Sequence, residues 1–122
     1  PAEWPRIAGV YLTRLKLGKR LEADPTVVHA VLDRNLAPAP IRRVTGSMLR
    51  VEHPYNTYRS KGLPPGPLAT VHPPVIDSVL ASRATGELFF CANPAKPGFH
   101  LFSKSYREHL RNRSRYLKAI TR

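Results

Sequence analysis

The chain of 122 residues is long enough for one domain with a modest core, and its hydrophobic fraction of 42% is ordinary for a globular protein. No apolar run approaches the roughly 20 residues that span a bilayer, and the single cysteine, Cys91, excludes an internal disulfide. The net charge of +12, from 20 Lys and Arg against 8 Asp and Glu, favours polyanionic partners, unless it reflects only an arginine-rich composition.

Two helices are predicted in the first third of the chain. Residues 5–17 have helical periodicity, with Pro5 in the first turn and Gly18 at the C-terminal cap. The apolar face expected to be buried consists of Ile7, Ala8, Tyr11, Leu12 and Leu15. A second helix is predicted to start at Asp24 and to include residues 26–32, because Asp is a favoured N-cap and the following Pro a favoured first helical residue.

Residues 37–74 are crowded with Pro and Gly and are expected to be mostly loop, with one short helix near residues 44–49. So long a stretch without regular structure is unusual inside a compact domain. When it also carries aromatic and amide side chains, such a loop is more often a binding element than a linker.

The C-terminal part combines helices and strands. A helix over residues 75–82 is predicted to pack through Ile76, Val79 and Leu80. Residues 88–92 and 99–102 are predicted to be paired strands joined by a turn.

A final helix, capped by Ser103 or Ser105, should run to about residue 120. Cys91, in the first strand, is expected to be a small core side chain and not a nucleophile. The predicted fold is α+β, with helices packed around a small β-sheet and the long loop lining a cleft.

The most distinctive stretch is residues 53–58, followed by the Pro- and Gly-rich residues 62–67. Tyrosine rings can stack on the apolar faces of sugars, and the amide and hydroxyl between Tyr55 and Tyr58 can bond to sugar hydroxyl and acetamido groups. The stiff turn would hold these groups in place at little entropic cost. The alternative is that the tyrosines only seal the loop onto the core.

Four ordered segments of the chain resemble the YceG-like family of endolytic murein transglycosylases. They are residues 7–15, 21–27, 53–67 and 88–103, so the resemblance covers nearly the whole chain. Three positions depart from the family pattern: Thr13 replaces an asparagine, Glu22 a glutamine and His53 a serine. At Thr13, a hydroxyl therefore stands on the first helix where the resemblance implies an amide.

The resemblance implies a bacterial inner-membrane protein with an extracytoplasmic catalytic domain. Members cleave the β-1,4 bond between N-acetylmuramic acid and N-acetylglucosamine within glycan strands and leave a 1,6-anhydromuramyl end. The implied partners are peptidoglycan strands, cell-wall synthases, and the membrane through an N-terminal helix. No metal or organic cofactor is implied, and no nucleic acid is expected as a partner.

The general acid of the family, a glutamate, aligns upstream of Pro1, whereas Glu3 matches a later, non-catalytic family glutamate. Residues 1–122 are therefore expected to be the C-terminal part of a catalytic domain, without the N-terminal subdomain and anchor, and inactive as a fragment. Joint action of Glu22 and Asp24 is not expected, because side chains two apart on an extended segment point to opposite faces.

Six residues are predicted to contact substrate: Asp24, Tyr55, Asn56, Thr57, Tyr58 and His100. For Asp24 the alternative is an N-cap, and for His100 a core histidine. The other histidines, His29, His53, His72 and His109, are scattered without metal-ligand spacing.

The last predicted helix is strongly basic, with Lys104, Arg107, Arg111, Arg113, Arg115, Lys118 and Arg122. These residues form either a solvated face or a surface for stem-peptide carboxylates or anionic lipid. The alternative function for the whole chain is a non-catalytic basic module that binds nucleic acid or a cell-wall polymer.

Overall fold

A computed structural model describes residues 2–68 and 73–120. Within them the chain has four α-helices, α1 (Trp4–Lys16), α2 (Asp24–Asp33), α3 (Pro73–Leu80) and α4 (Tyr106–Ile120), and a short 3₁₀ helix, Met48–Arg50. Strands β1 (Phe89–Ala92) and β2 (His100–Ser103) form one antiparallel sheet in which Phe89 faces Ser103 and Ala92 faces His100. The α+β prediction is confirmed. In this described part, no helix is both long and apolar enough to cross a membrane.

The chain divides into two compact units. The first, called here the sheet unit, comprises residues 1–16 and 71–122, and the second, the loop unit, comprises residues 17–70. The predicted 37–74 loop falls mainly in the loop unit, where the 3₁₀ helix begins four residues later than the short helix expected at residues 44–49 and overlaps it only at residues 48 and 49. Its residues 69–72, with His72, lie outside the described residues, as does Arg122.

In the sheet unit, α1 and α4 pack on the sheet and α3 packs on α1. The residues of α1 that are most buried are Gly9, Val10, Thr13 and Arg14, whereas the predicted apolar face is half-buried. The Thr13 hydroxyl accepts hydrogen bonds from the backbone N–H groups of Thr85 and Gly86, at 3.0 and 3.1 Å. The Thr13 hydroxyl therefore secures the segment that leads into β1.

The predicted packing of α3 is wrong. Ile76, Val79 and Leu80 are 46%, 46% and 79% exposed, and the residues that are half-buried are Val75 and Ser78. The helix packs on α1, and its half-buried residues, Val75 and Ser78, are three apart and share a helix face.

In the loop unit, α2 supplies the core. Thr26, Val27, Ala30 and Val31 are at most 4% exposed and follow the helical period. They are joined by Leu21 and by the buried Asn56 and Thr57 of the long loop. The loop unit thus packs its irregular segment directly on one face of one helix.

The remaining predicted elements are confirmed within one or two residues. Gly18 follows α1 with φ +69°, a left-handed conformation that glycine adopts without steric cost. Of the two serines proposed as caps of α4, Ser105 fulfils the role, because its Oγ accepts from the N–H of Glu108 at 3.2 Å. Ser103 lies in β2 and is buried.

Candidate functional site

The side chain of Asn56 holds the tyrosine loop, residues 53–58, to the preceding turn. It is fully buried, and its amide donates to the carbonyls of Leu49 and Val51 at 3.0 and 2.7 Å. Its Oδ1 accepts from the N–H of Tyr58 at 3.0 Å. Donors and acceptor of this amide are thus used within the protein.

Thr57 fastens the same loop to the start of α2. Its Oγ1 accepts from the N–H of Ala23 at 2.9 Å and lies 2.8 Å from Thr26 Oγ1, while its carbonyl accepts from the N–H of Glu22 at 3.3 Å. Glu22 has φ +50°, a conformation unusual for a residue with a side chain. These bonds to Thr57 hold the strained residue in place.

This geometry corrects two predicted site residues. Asn56 and Thr57 are 0% and 1% exposed, and their polar atoms are hydrogen-bonded inside the loop unit. A sugar cannot reach them without breaking these bonds. Their role is to hold the two tyrosines, and direct substrate contact does not fit their burial.

Tyr58 and Asp24 form the first candidate contact pair. The Tyr58 hydroxyl donates to Asp24 Oδ1 at 2.7 Å, and Asp24 itself is exposed. The N-cap prediction for Asp24 is wrong, because Asp24 is already the first helical residue, and the N-cap is Ala23 without a side-chain capping bond. The carboxylate is therefore turned toward the tyrosine and keeps lone pairs for a further donor.

Tyr55 lies in a cluster of rings with His29 and His53. Its ring centroid is 4.3 Å from that of His29 and 5.9 Å from that of His53. A Cβ placed on Gly66 would lie 3.1 Å from the Tyr55 hydroxyl oxygen, so the Pro- and Gly-rich turn packs closely on this ring. The ring is half-buried and held from several sides, as a stacking platform for a sugar would need to be.

His53 links the tyrosine loop to α2. Its Nδ1 accepts from the N–H of Tyr55 at 3.1 Å, so the proton of the neutral ring is on Nε2, which lies 2.8 Å from Asp33 Oδ2. The hydrogen bond from His53 lowers the pKa of the Asp33 carboxyl. An open cavity of about 460 Å³ adjoins this pair, and its lining residues are Arg34, Glu52, His53, Pro54, Arg59 and Ser60.

His100, the sixth predicted contact residue, belongs to the sheet unit. Its Nδ1 is 3.0 Å from Glu3 Oε1, and its ring meets Phe90 edge-on with a centroid distance of 5.6 Å. The His100 side chain is 29% exposed, which is more than a core histidine would show. A substrate role for His100 stays a prediction.

Other reactive side chains of the described residues do not form a second centre. No group of three or more His, Cys, Asp or Glu that could hold a metal ion occurs among them. Cys91 is half-buried, and burial raises the pKa of its thiol. The thiol form is a poor nucleophile, in keeping with the packing role predicted for this residue.

Sequence reasoning missed three residues of the tyrosine site: Thr26, His29 and Asp33. A usable signal was present, because positions 26, 29 and 33 are three and four apart and therefore share a face of α2. The pairing of that face with residues 53–58 is a long-range contact, which local periodicity does not report.

Comparison with known proteins yields consistent matches. The model of the YceG-like family matches residues 1–115. The chain is 33% identical over 118 residues to the endolytic murein transglycosylase of Bacillus subtilis (strain 168), which covers 97% of this chain and 31% of that protein. A crystal structure of a YceG-like protein from Listeria monocytogenes matches with a TM-score of 0.73 and 37% identity, over 86% of this chain and 32% of that chain. The chain thus spans about a third of the length of these relatives.

Proposed function

The chain belongs to the YceG-like family, and from this membership we propose that the protein is part of an endolytic lytic transglycosylase of peptidoglycan. The proposed reaction cleaves the β-1,4 bond between N-acetylmuramic acid and N-acetylglucosamine and produces 1,6-anhydromuramyl ends. The support is the family match together with the similarity to the Bacillus subtilis enzyme along almost the whole chain.

In this reaction, the loop unit provides a wall for the glycan strand. The Tyr55 ring is the proposed stacking surface, and the Tyr58 hydroxyl with the Asp24 carboxylate is the proposed polar contact for sugar hydroxyl or acetamido groups. The observation that supports this role is the burial of Asn56 and Thr57, whose hydrogen bonds shape the loop between the two half-buried tyrosines. His100 is a further proposed contact.

The chemistry requires one carboxyl group with a raised pKa, which protonates the glycosidic oxygen. The resulting carboxylate then accepts the proton of the muramyl C6 hydroxyl, whose oxygen closes the anhydro ring. We propose that this acid lies upstream of residue 1, as the family resemblance implies. Glu3 is not proposed for the role, because its carboxylate is engaged with His100. Residues 1–122 alone should then bind glycan without cleaving it.

The family also suggests a location and partners. We propose an extracytoplasmic catalytic domain at the bacterial inner membrane, attached through an N-terminal helix outside residues 1–122. Cell-wall synthases are proposed as partners, because a strand-cleaving enzyme acts on their polymer.

The test is a digestion of purified sacculi, followed by mass spectrometry of the released muropeptides. A protein extended upstream to include the family glutamate is expected to release anhydromuropeptides, whereas residues 1–122 should release none. In the extended protein, Tyr58→Phe removes the bond to Asp24 and should lower the rate about 3–10-fold. The matched control, Tyr106→Phe on α4, should leave the rate unchanged.

Two outcomes would contradict the proposal. Muropeptides with ordinary reducing ends would indicate a hydrolase instead of a lytic transglycosylase. Anhydro products from residues 1–122 alone would show that the acid lies within this chain.

A further inference from the structure

Helix α4 packs on the sheet through one narrow face. His109 and Tyr116 are half-buried and Asn112 is 8% exposed, and the three are spaced three and four residues apart. The His109 ring stacks on Phe89 of β1 with a centroid distance of 4.9 Å and an interplanar angle of 20°. The helix is therefore held on its support by a mainly polar face.

The apolar residues of α4 lie on another face. Tyr106, Leu110, Leu117 and Ile120 are 59%, 42%, 37% and 57% exposed, and their spacing of four, seven and three residues follows the helical repeat. At 3.6 residues per turn they fall within a sector of roughly 80°, which also contains the exposed Arg113. We call these four residues the apolar stripe of α4. Their exposure is unusual, since an amphipathic helix ordinarily packs its apolar face against the core.

A basic row runs beside the apolar stripe. It consists of Arg107, Arg111, Arg115 and Lys118, all exposed, at spacings of four, four and three residues. These residues occupy a second sector of roughly 80°, on the side of the stripe away from the sheet. The helix therefore presents an apolar and a cationic strip side by side.

We propose that α4 docks on the surface of an anionic phospholipid bilayer. The apolar stripe would enter the boundary between headgroups and acyl chains, and the basic row would pair with headgroup phosphates. This combination of a large apolar face and a Lys- and Arg-rich flank is the pattern of helices that lie in the membrane interface.

The charge of the row argues against other occupants. A nucleic acid or an acidic glycan would use the arginines and leave Leu110, Leu117 and Ile120 in water. A second copy of this chain would bring two rows of like charge together, which disfavours self-association. Only a bilayer surface offers phosphates and hydrocarbon within the thickness of one helix. The docking is independent of the reaction proposed above.

The experiment is flotation of the 122-residue chain with vesicles of phosphatidylcholine alone or with 30% phosphatidylglycerol. The unaltered chain should float only with the anionic vesicles, and less so at high salt. Arg107→Gln with Arg111→Gln should lower partitioning about 25-fold, at about fivefold per charge. Leu110→Gln with Ile120→Gln should lower it about tenfold or more with the charge unchanged. Glutamine keeps the helix, which circular dichroism verifies.

Arg42→Gln with Arg43→Gln is the matched control, since it removes the same charge from exposed positions of the loop unit. This control should reduce flotation far less than the α4 charge variant. Equal losses in both charge variants, or full flotation of the Leu110 and Ile120 variant, would overturn the proposal in favour of nonspecific charge attraction. A loss of sacculus binding with unchanged flotation in the α4 variants would overturn it in favour of a glycan contact.

Discussion

At the scale of single residues, two kinds of side chain have different roles in the tyrosine loop. Asn56 and Thr57 make the hydrogen bonds that shape the loop, and Tyr55 and Tyr58 remain half-exposed. A resemblance to a family motif cannot separate these tasks, because both kinds of residue can hydrogen-bond a sugar. Burial distinguishes the two tasks, because the enclosed Asn56 amide already bonds to Leu49, Val51 and Tyr58 and is not accessible to a sugar.

Replacing Asn56 should lower the stability of the folded protein more than it affects the reaction directly. Asn56→Ala leaves the carbonyls of Leu49 and Val51 and the N–H of Tyr58 without their partner, and we expect a loss of about 2–4 kcal/mol in the free energy of unfolding. Asn93→Ala is the matched control, because Asn93 accepts one bond in an exposed turn and should cost about 1 kcal/mol or less. Urea denaturation measures both. Similar losses of unfolding free energy in the two variants would show that Asn56 stabilises the loop no more than a residue of an exposed turn does.

His109 should make the protein less stable in acid. Burial, followed by the charges of Arg113 and Arg14, lowers the pKa of His109 from its ordinary value of 6.5. The unfolded chain therefore binds this proton more readily than the folded chain. The stability that neutral His109 contributes is fully present above pH 6.5 and is lost as the pH falls through the lowered pKa of His109 in the folded state.

The measurement is the free energy of unfolding of the wild-type protein and of His109→Gln between pH 7.5 and pH 5. The carboxyls of Asp33 and Glu87, whose pKa values are lowered by their partners His53 and Arg6, stay ionised in this range. The variant should lose less stability than the wild type as the pH falls. Parallel curves would mean that His109 takes up its proton equally well in the folded state.

At the scale of elements, local patterns predicted most helices and strands to within one or two residues. Capping and breaking residues such as Gly18 and Ser105 act over a few bonds, so their effect can be read locally. The orientation of a helix depends on what packs against it. For this reason the spacing of apolar residues in α3 predicted a helix correctly. It did not show that Ile76, Val79 and Leu80 would be exposed.

The same reasoning explains why α1 buries Gly9, Thr13 and Arg14 beside Val10 and leaves its predicted apolar face half-buried. Gly9 allows the close approach of residues 83–85, Thr13 bonds to their backbone, and Arg14 donates to the carbonyl of Leu88 at 2.7 Å. Hydropathy ranks such residues as surface residues. They are buried because residues 83–85 pass close to α1, and this contact is defined only by the tertiary structure.

Gly9→Ala tests this crossing. The added methyl group would lie 2.8 Å from the carbonyl oxygen of Arg83 and from Thr85 Cγ2, so we expect a loss of about 2 kcal/mol or more in the free energy of unfolding. Gly46→Ala is the matched control, because no atom lies within 4 Å of its added methyl and its φ is not positive. It should be neutral or stabilising by up to about 1 kcal/mol. Equal effects would contradict a close contact at Gly9.

At the scale of the whole molecule, the chain builds two compact units with separate cores. Five of the six predicted contact residues fall in the loop unit, and His100 falls in the sheet unit. The family and the general fold could be predicted from motifs spread along the chain. The division into units could not, because it depends on which distant segments pair, such as residues 53–58 with α2.

The most direct test is an NMR titration of the chain with a soluble tetrasaccharide of alternating N-acetylglucosamine and N-acetylmuramic acid. Chemical-shift changes should be largest around Tyr55, Tyr58 and Asp24. Tyr55→Ala, which removes the stacking ring, should weaken binding about tenfold, whereas Tyr106→Ala on α4 should not. Binding that leaves these three residues unshifted, or that survives Tyr55→Ala unchanged, would contradict a glycan wall in the loop unit.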